Sequence, residues 1–332
     1  MSANDALITV RGLKKHFPVR KGVVAALFGR TRDRFLRAVD GVDFAIQRGE
    51  VLGLAGESGS GKTTIGMILA LLDRPTGGAV SFDGVDPFHL KGKKLKDFRR
   101  NTQIIFQDPY QTLNPRLRVI DTVAEPLDIH GIGRHGRARH EMAVAALVLA
   151  GLPEQLAGRY PHELSGGQRQ RVAIARAMVL RPRFIVADEP VSMLDVSVRS
   201  GVMSLMLKLK REFRVTYLFI SHDLAASRYM CDRIAVMYLG RIMEVADKET
   251  IIQRPVHPYT QVLLSAVPVP DPFFDRKRVR VPGETPSPID LPPGCRFAAR
   301  CPRAVAECRE TEPDLRAVAP GHLAACHLAA PA

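Results

Sequence analysis

Residues 56–63 read Gly-Glu-Ser-Gly-Ser-Gly-Lys-Thr, and this loop constrains the fold more strongly than any other part of the chain. It fits the phosphate-binding pattern G-x-x-x-x-G-K-[ST] at every fixed position. The apolar run 51–55 before it predicts a buried strand, and residues 64–72 after it can continue as a helix. A strand, a glycine loop and a helix in this order predict an α/β fold with a nucleotide site.

The residue types of this phosphate loop suit a polyphosphate ligand. Gly56, Gly59 and Gly61 let backbone amides turn towards phosphate oxygens, and the helix N-terminus favours negative charge. Lys62 is expected to reach the β- and γ-phosphates, and the hydroxyl of Thr63 is expected to bind Mg²⁺. The other positions expected to contact ATP are Glu57, Ser58, Ser60 and Thr64. A glycine-rich turn that binds nothing is disfavoured, because the motif and both flanks match.

The composition limits the class of protein and its location. The chain has 332 residues, of which 46% are hydrophobic, enough for a sizeable core. We see no apolar run near the roughly 20 residues that a membrane helix needs and no secretory pattern, so we expect a cytoplasmic protein. The net charge of +14 suits nucleic acid, an anionic membrane face or phosphate ligands. The absence of Trp and the 6% of aromatic residues disfavour a base-stacking surface.

The apolar periodicity predicts an α/β domain with a mostly parallel sheet. Further strands are expected at 7–10, 39–46, 79–82, 103–106, 184–187 and 216–220, with a closing hairpin of 233–238 and 242–245. A basic stretch at 18–36 predicts a long exposed loop, and helical patterns at about 110–182 predict a helical insertion. From residue 246 the chain becomes proline-rich and poorly periodic, which predicts a change of structural unit.

An acidic pair follows the buried strand expected at 184–187. Asp188 at the end of this strand is expected to hold Mg²⁺ through water, and Glu189 could polarise the attacking water as a general base. The alternative is an ordinary acidic pair at a strand end. It loses weight because a phosphate loop requires a metal-binding acid at such a position.

A second glycine motif, Leu-Ser-Gly-Gly-Gln at 164–168, precedes an arginine-rich helix. Ser165 and two glycines at the start of a helix can bind an anion, although alone they more often form a plain N-cap. The order of motifs decides between these interpretations. The phosphate loop is followed by Ile-Phe-Gln-Asp-Pro at 105–109, by 164–168, by the acidic pair, by Leu-Asp at 194–195 and by His222.

In this order of motifs the sequence resembles the ATP-binding subunit of an ABC transporter over essentially its whole length. The resemblance implies a P-loop NTPase fold of the ABC type, with ATP and Mg²⁺ as ligands. It implies a nucleotide-binding domain at 1–245, with a helical subdomain at about 110–182, and a small cysteine-containing extension at 246–332. Glu189 matches the catalytic base, and His222 matches the switch histidine that contacts the γ-phosphate.

The same resemblance assigns roles to residues outside the phosphate loop. Gln107 matches the glutamine that senses Mg²⁺ and couples to membrane subunits, and Phe17 falls where the family places an aromatic ring on adenine. Asp195 matches the aspartate of the loop that crosses the dimer interface, where Met193 replaces a common alanine. The signature that contacts ATP held by the partner subunit is matched by Ser165, Gly166, Gly167 and Gln168.

Three further segments are similar to oligopeptide and dipeptide importers. They are Phe-Gln-Asp-Pro at 106–109, Leu-Asn-Pro-Arg at 113–116 and His-Pro-Tyr-Thr at 257–260, and the chain looks most like the second, F-type, ATPase subunit. The resemblance implies a heterodimer with a second homologous ATPase subunit, two membrane permeases and, indirectly, a solute-binding protein. It implies a peripheral position on the cytoplasmic face of the inner (plasma) membrane, with no nucleic acid partner. Import and the substrate class, peptides or related small solutes, are inferred from this resemblance.

The C-terminal extension carries four of the five cysteines: Cys295, Cys301, Cys308 and Cys326. Disulfides are not expected in a cytosolic protein, and a metal site could stabilise a segment without an apolar core. The spacing alone does not choose between zinc and iron–sulfur. The resemblance to peptide importers implies a structural [4Fe–4S] cluster, with zinc or an empty site as alternatives. Cys231 is expected to be a buried packing residue.

Two other functions are weighed against transport. The first is an ABC ATPase that acts on DNA or the ribosome, which the charge of +14 would suit. Such proteins usually carry two ATP cassettes or a coiled-coil insertion, and neither pattern is present in this sequence. The second is an interaction subunit with an inactive site, which is disfavoured because every motif needed for hydrolysis is present.

Overall fold

The computed structural model describes residues 5–19, 34–133, 136–266, 281, 283, 286–289 and 291–329. The strands are β1 (Ala6–Pro18), β2 (Phe35–Gln47), β3 (Val51–Ala55), β4 (Gly77–Phe82), β5 (Thr102–Ile105), β6 (Phe184–Asp188), β7 (Thr216–Ser221), β8 (Arg233–Tyr238), β9 (Arg241–Asp247), β10 (Arg316–Ala319) and β11 (His322–Ala324). The α-helices are α1 (Lys62–Leu69), α2 (Gly92–Asn101), α3 (Pro109–Thr112), α4 (Val119–His130), α5 (Gly136–Leu149), α6 (Gly166–Met178), α7 (Val196–Phe213), α8 (Leu224–Met230), α9 (Lys248–Gln253), α10 (Pro258–Ala266) and α11 (Glu307–Glu310).

The strands form two sheets. The larger has the order β10-β11-β9-β8-β3-β7-β6-β5, and β2-β1-β4 form a separate antiparallel sheet. In the larger sheet β8, β3, β7, β6 and β5 are parallel, whereas β9, β11 and β10 add antiparallel strands at one side. The expected mostly parallel sheet is therefore present at the centre, and the expected closing hairpin is confirmed as β8 and β9. The prediction missed strands β10 and β11 and the second sheet.

The central strand β3 places the phosphate loop. All five of its residues are buried, because the sheet is covered by apolar side chains on both faces. The loop leads directly into α1, which packs closely on the sheet through Gly66. A Cβ at Gly66 would lie 2.9 Å from methyl groups of Val186 and Ile220. The helix ends at Leu69 and does not reach Leu72 as expected, because Leu71 adopts a positive φ of 54°.

The first two strands are longer than their apolar patterns predict. β1 extends to Pro18 through the basic stretch 14–16, and β2 begins at Phe35, before its predicted start at Val39. The pairing between them contains register shifts, and the shifts break the strict alternation on which the sequence prediction relied. The exposed loop expected at 18–36 falls largely on residues 20–33, which lie outside the described residues.

The chain after residue 246 is more regular than its sequence suggests. Helices α9 and α10 follow β9 directly, and the hairpin β10–β11 joins the larger sheet by pairing Leu323 with Val245 and Ala324 with Glu244. Arg296 is nearly completely buried and binds Asp40 of β2 and Glu312. The described part of the extension thus packs against the rest of the chain. Among the described helices, none has the length and apolarity to cross a bilayer.

Candidate nucleotide-binding site

A cavity of about 680 Å³ lies where β3, β6 and β7 end. This is the position at which parallel α/β sheets bind ligands, because loops and helix N-termini meet there. The predicted residues that line it are Phe17, Ser58, Gly59, Gly61, Lys62, Thr63, Thr64, Gln107, Glu189 and His222. The fold therefore brings together segments that are up to two hundred residues apart in the sequence.

Two glycines fix the path of the phosphate loop. Gly56 has φ of +152°, and a Cβ there would lie 2.2 Å from the carbonyl oxygen of Met237. Gly61 has φ of +103°, and a Cβ there would lie 2.1 Å from the carbonyl oxygen of Ala38. Any side chain at either position would therefore displace the loop from β2 or β8.

Lys62 is folded into its own loop. Its ammonium donates to the carbonyl oxygens of Gly56 and Glu57, each at 2.8 Å, and to Ser60 Oγ at 3.3 Å. Burial lowers the pKa of Lys62, while the negative charges of Glu189, Asp188 and Glu57 oppose this shift. The Lys62 ammonium is therefore a desolvated cation bound by neutral oxygens. Charged phosphate oxygens would bind this ammonium more strongly than the carbonyls do.

The Thr63 hydroxyl donates to Asp188 Oδ1 at 3.1 Å, which joins the start of α1 to the end of β6. Burial raises the pKa of Asp188, and the neighbouring Glu189 adds to this, while Thr63 and Lys62 act in the opposite direction. A bound divalent cation would stabilise the charged carboxylate. Mg²⁺ binds hydroxyl, carboxylate and amide oxygens. The three residues expected at the metal site, Thr63, Asp188 and Gln107, carry these groups and therefore suit Mg²⁺.

Glu189 gathers two of the other predicted residues. Its Oε2 accepts from Gln107 Nε2 at 3.0 Å and lies 3.1 Å from His222 Nδ1. Glu189 also has a positive φ of 46°, and its amide donates to the carbonyl of Ile220 at 2.9 Å. A left-handed conformation is costly for a residue with a side chain and is concentrated at functional sites. The arrangement holds a carboxylate beside the phosphate loop, as a general base requires.

The signature motif is structurally formed but lies elsewhere. Ser165 is the N-cap of α6: its Oγ accepts from the Gln168 amide at 3.3 Å, and Gln168 Oε1 accepts from the Ser165 amide at 2.9 Å. A Cβ at Gly167 would lie 2.4 Å from Val198 in α7, the helix that Asp195 caps. Within the described chain, neither the signature residues nor Asp195 line the cavity of the phosphate loop.

Phe17 lies near the end of β1 with 38% of its surface exposed, and Lys15 Nζ is 4.8 Å from its ring centroid. Three apolar neighbours in the cavity were not predicted from the sequence: Leu36, Ala38 and Pro288. Leu36 and Ala38 are two residues apart in β2 and therefore lie on the same face of the strand, a pattern that could have placed both of them in the site. The proline-rich sequence around Pro288 did not predict a place in the site, although the Arg37 backbone amide donates to the Pro288 carbonyl at 3.1 Å.

The four cysteines of the extension line one small cavity of about 10 Å³, and the Cys295 amide donates to the Cys308 carbonyl at 2.8 Å. Burial raises the pKa of the Cys295 thiol to about 11 and also raises the pKa of Cys301 and Cys326. Among the described residues, no three His, Cys, Asp or Glu side chains are placed as a metal site requires. The metal centre therefore stays a prediction. Cys231 is fully buried against Gly53, as expected.

Comparison with known proteins places this site in a family. The family model of the ABC transporter matches residues 39–192, and that of the oligopeptide/dipeptide transporter, C-terminal region, matches residues 243–308. The oligopeptide transport ATP-binding protein AppF of Bacillus subtilis is 46% identical over 327 residues, which cover 98% of each chain. YkfD of the same species is 47% identical over 97% of this chain and 95% of that protein. The chain belongs to the ABC transporter ATP-binding family.

Solved structures support the ABC fold. The dimeric structure of MJ0796, a bacterial ABC transporter cassette, is 32% identical and has a TM-score of 0.62, covering 73% of this chain and 98% of the cassette. The post-hydrolysis state of the same cassette, bound to ADP and Pi, has a TM-score of 0.63 at 30% identity. The prediction of a P-loop NTPase fold of the ABC type is confirmed.

Proposed function

We propose that this chain is the ATP-hydrolysing subunit that powers import of peptides, or of related small solutes, through an ABC transporter. The observation that carries the proposal is the contact of Glu189 with Gln107 and His222 beside an intact phosphate loop. The extensive similarity to AppF, an oligopeptide transport ATP-binding protein, supports the transport role.

The proposed mechanism assigns one task to each group. Lys62 exchanges its carbonyl partners for phosphate oxygens, and the backbone of the loop cradles the polyphosphate. Mg²⁺, when bound, would neutralise phosphate charge, and Thr63, Asp188 and Gln107 would hold it. Glu189 orients the attacking water and accepts its proton, and His222 contacts the γ-phosphate.

The signature residues do not line the cavity of the phosphate loop in the described part of this chain, which supports a site shared with a second subunit. Two ATP molecules would be sandwiched head to tail, each between the phosphate loop of one ATPase subunit and the Ser165–Gln168 signature of the other. Closure on ATP and opening after hydrolysis would move two membrane permeases, which receive substrate from a solute-binding protein. This chain would lie peripherally on the cytoplasmic face of the inner (plasma) membrane.

Within this proposal the chain divides into a nucleotide-binding domain at 1–245, its helical subdomain at about 110–182, and an extension at 246–332. We propose that Cys295, Cys301, Cys308 and Cys326 hold a structural [4Fe–4S] cluster, with zinc as the alternative. Their convergence on one cavity supports this assignment, because four thiolates suit either group. Anaerobic purification followed by assays for iron, sulfide and zinc would distinguish the cluster, zinc and a site without metal.

The transport role is tested with the complete complex in lipid vesicles. ATP-dependent uptake of labelled peptides that requires this subunit would support the proposal. ATP hydrolysis that is stimulated by DNA or ribosomes, without uptake of any peptide, would instead support the soluble ATPase alternative. Binding to DNA that weakens steeply with salt would point in the same direction.

A further inference from the structure

The phosphate loop carries one acidic residue, Glu57, and the C-terminal extension binds both its side chain and its backbone. Arg300 Nη1 lies 3.0 Å from Glu57 Oε2 and 3.3 Å from Oε1. The Glu57 amide donates to the hydroxyl of Tyr259 at 2.9 Å. Two segments of the extension, α10 and the turn after Cys295, therefore meet at one residue of the loop.

These contacts continue to the residue that is expected to bind phosphate. The carbonyl of Glu57 accepts from Lys62 Nζ at 2.8 Å, so the peptide groups on both sides of Glu57 Cα are engaged. Tyr259 fixes the amide side and Lys62 binds the carbonyl side. Any shift of Glu57 would move one of the carbonyls that hold the Lys62 ammonium beside the nucleotide cavity.

The anchors themselves are held rigidly. Tyr259 is fully buried and packs against the rings of Tyr238 and Phe297, with centroid distances of 4.6 and 5.3 Å. Arg300 is 13% exposed and also donates to the Tyr238 hydroxyl at 3.3 Å. Close-packed buried aromatic rings resist displacement, so Tyr259 and Arg300 can hold the phosphate loop in one position.

The charge of Glu57 gives Arg300 a second task. A carboxylate in a phosphate loop would repel the polyphosphate of ATP, and the partly buried position of the pair weakens screening by solvent. Arg300 neutralises this carboxylate at close range. Loss of Arg300 would take this neutralising charge away from a carboxylate of the phosphate loop.

We propose that Arg300 and Tyr259 are positioning residues of the nucleotide site, so that the C-terminal extension sets the geometry and charge of the phosphate loop. This inference rests on the proposed ATP-binding role of that loop. It assigns the extension a direct part in nucleotide binding, which does not depend on whether a metal occupies the cysteines.

The test is the affinity of the full-length chain for Mg·AMP-PNP and Mg·ADP, measured by titration calorimetry. R300M is expected to weaken binding of Mg·AMP-PNP on the order of tenfold, and that of Mg·ADP less, because AMP-PNP carries more negative charge. R300K keeps the charge and should recover part of the loss. Y259F removes a single oxygen atom and should weaken binding on the order of threefold.

The double variant E57Q/R300M distinguishes neutralisation of the Glu57 carboxylate by Arg300 from a general loss of protein stability. Once the carboxylate is gone, loss of Arg300 should matter little, so E57Q/R300M should bind close to E57Q alone. R241M is the matched control, because Arg241 pairs with Glu312 of the same extension at 2.6 Å and does not line the nucleotide cavity. R241M should bind nucleotide as the unmodified chain does.

Three outcomes would overturn the inference or the function beneath it. Equal affinities for R300M, Y259F and the unmodified chain would refute the positioning role and leave the proposed function intact. Losses in E57Q/R300M as large as in R300M would show that Arg300 acts on stability and not on the charge of Glu57. If the unmodified chain binds neither nucleotide, the proposed function itself fails.

Discussion

Gln107 Nε2 donates to Glu189 Oε2 at 3.0 Å, although 82 residues separate the two in the chain. Gln107 lies just after β5 and Glu189 directly follows β6, and these two strands are parallel neighbours. The amide thereby holds the carboxylate in place, and a short helix begins at Pro109, two residues after Gln107. The contact links the candidate base to the part of the chain expected to face the membrane subunits.

Glu189→Gln is expected to keep the shape of the site while removing the proton acceptor. Hydrolysis by the assembled complex should fall about 10²- to 10⁴-fold, and ATP binding should remain. Phosphate release and nucleotide binding measured on the same preparation check this. Unchanged hydrolysis would mean that the partner ATPase performs the reaction and that this chain is an interaction subunit.

Lys62→Ala removes the ammonium that lies among the carbonyls of the phosphate loop. Hydrolysis at the site of this subunit should be abolished, while the phosphate loop of the partner should still bind ATP. Photo-crosslinking with labelled azido-ATP would show which subunit carries the nucleotide. If both subunits lost nucleotide equally, the picture of two shared sites would need revision.

Substitutions at the adjacent glycines Gly166 and Gly167 can separate the proposed contact of the signature with ATP from its part in stability. A Cβ at Gly166 would lie 3.6 Å from Leu194, an ordinary contact, whereas one at Gly167 would lie 2.4 Å from Val198. Gly166→Asp should therefore leave the thermal unfolding midpoint nearly unchanged but strongly reduce hydrolysis in the complex, by placing negative charge against the ATP of the partner. Gly167→Ala should lower the unfolding midpoint itself. Normal hydrolysis in Gly166→Asp would contradict the proposed trans contact.

Asp40 predicts a pH dependence of stability. Burial alone would raise the pKa of Asp40, but its bonds to Arg296 and His16 hold the pKa below its usual value. This stabilisation is complete above the unfolded pKa of about 3.9 and is lost as the pH falls through the lower folded value. Asp40→Asn should cost about 2 kcal/mol of unfolding free energy at neutral pH, because it weakens the pairing of a buried arginine.

Urea unfolding of both proteins between pH 7 and pH 3 checks this prediction. The difference between Asp40→Asn and the unmodified chain should be constant at higher pH and should shrink below about pH 4. A difference that persists unchanged at pH 3 would mean that the carboxylate charge of Asp40 does not stabilise the fold.

Site residues could be predicted from the sequence where their chemistry requires a fixed spacing in a motif. The phosphate loop and Glu189 were predicted because each follows a short buried strand, and His222 was predicted from the family resemblance. Parallel strands bring the ends of β3, β6 and β7 to one edge, where these residues meet. The contacts of Arg300 and Tyr259 were not foreseeable, since they depend on how an aperiodic segment packs on the sheet. The length of β1 was also missed, because pairing with β2 rather than burial of alternate residues stabilises its basic part.

The pairing of β11 with β9 also has a consequence for how the extension can be studied. The β11 backbone bonds to Val245 and Glu244, and the Ala325 amide donates to the Met243 carbonyl at 2.8 Å. A chain cut after residue 247 would leave the apolar strand β9 as an open sheet edge, which is a template for aggregation. Loss of activity after such a deletion would report self-association as readily as a missing function, so single substitutions are the more informative tools.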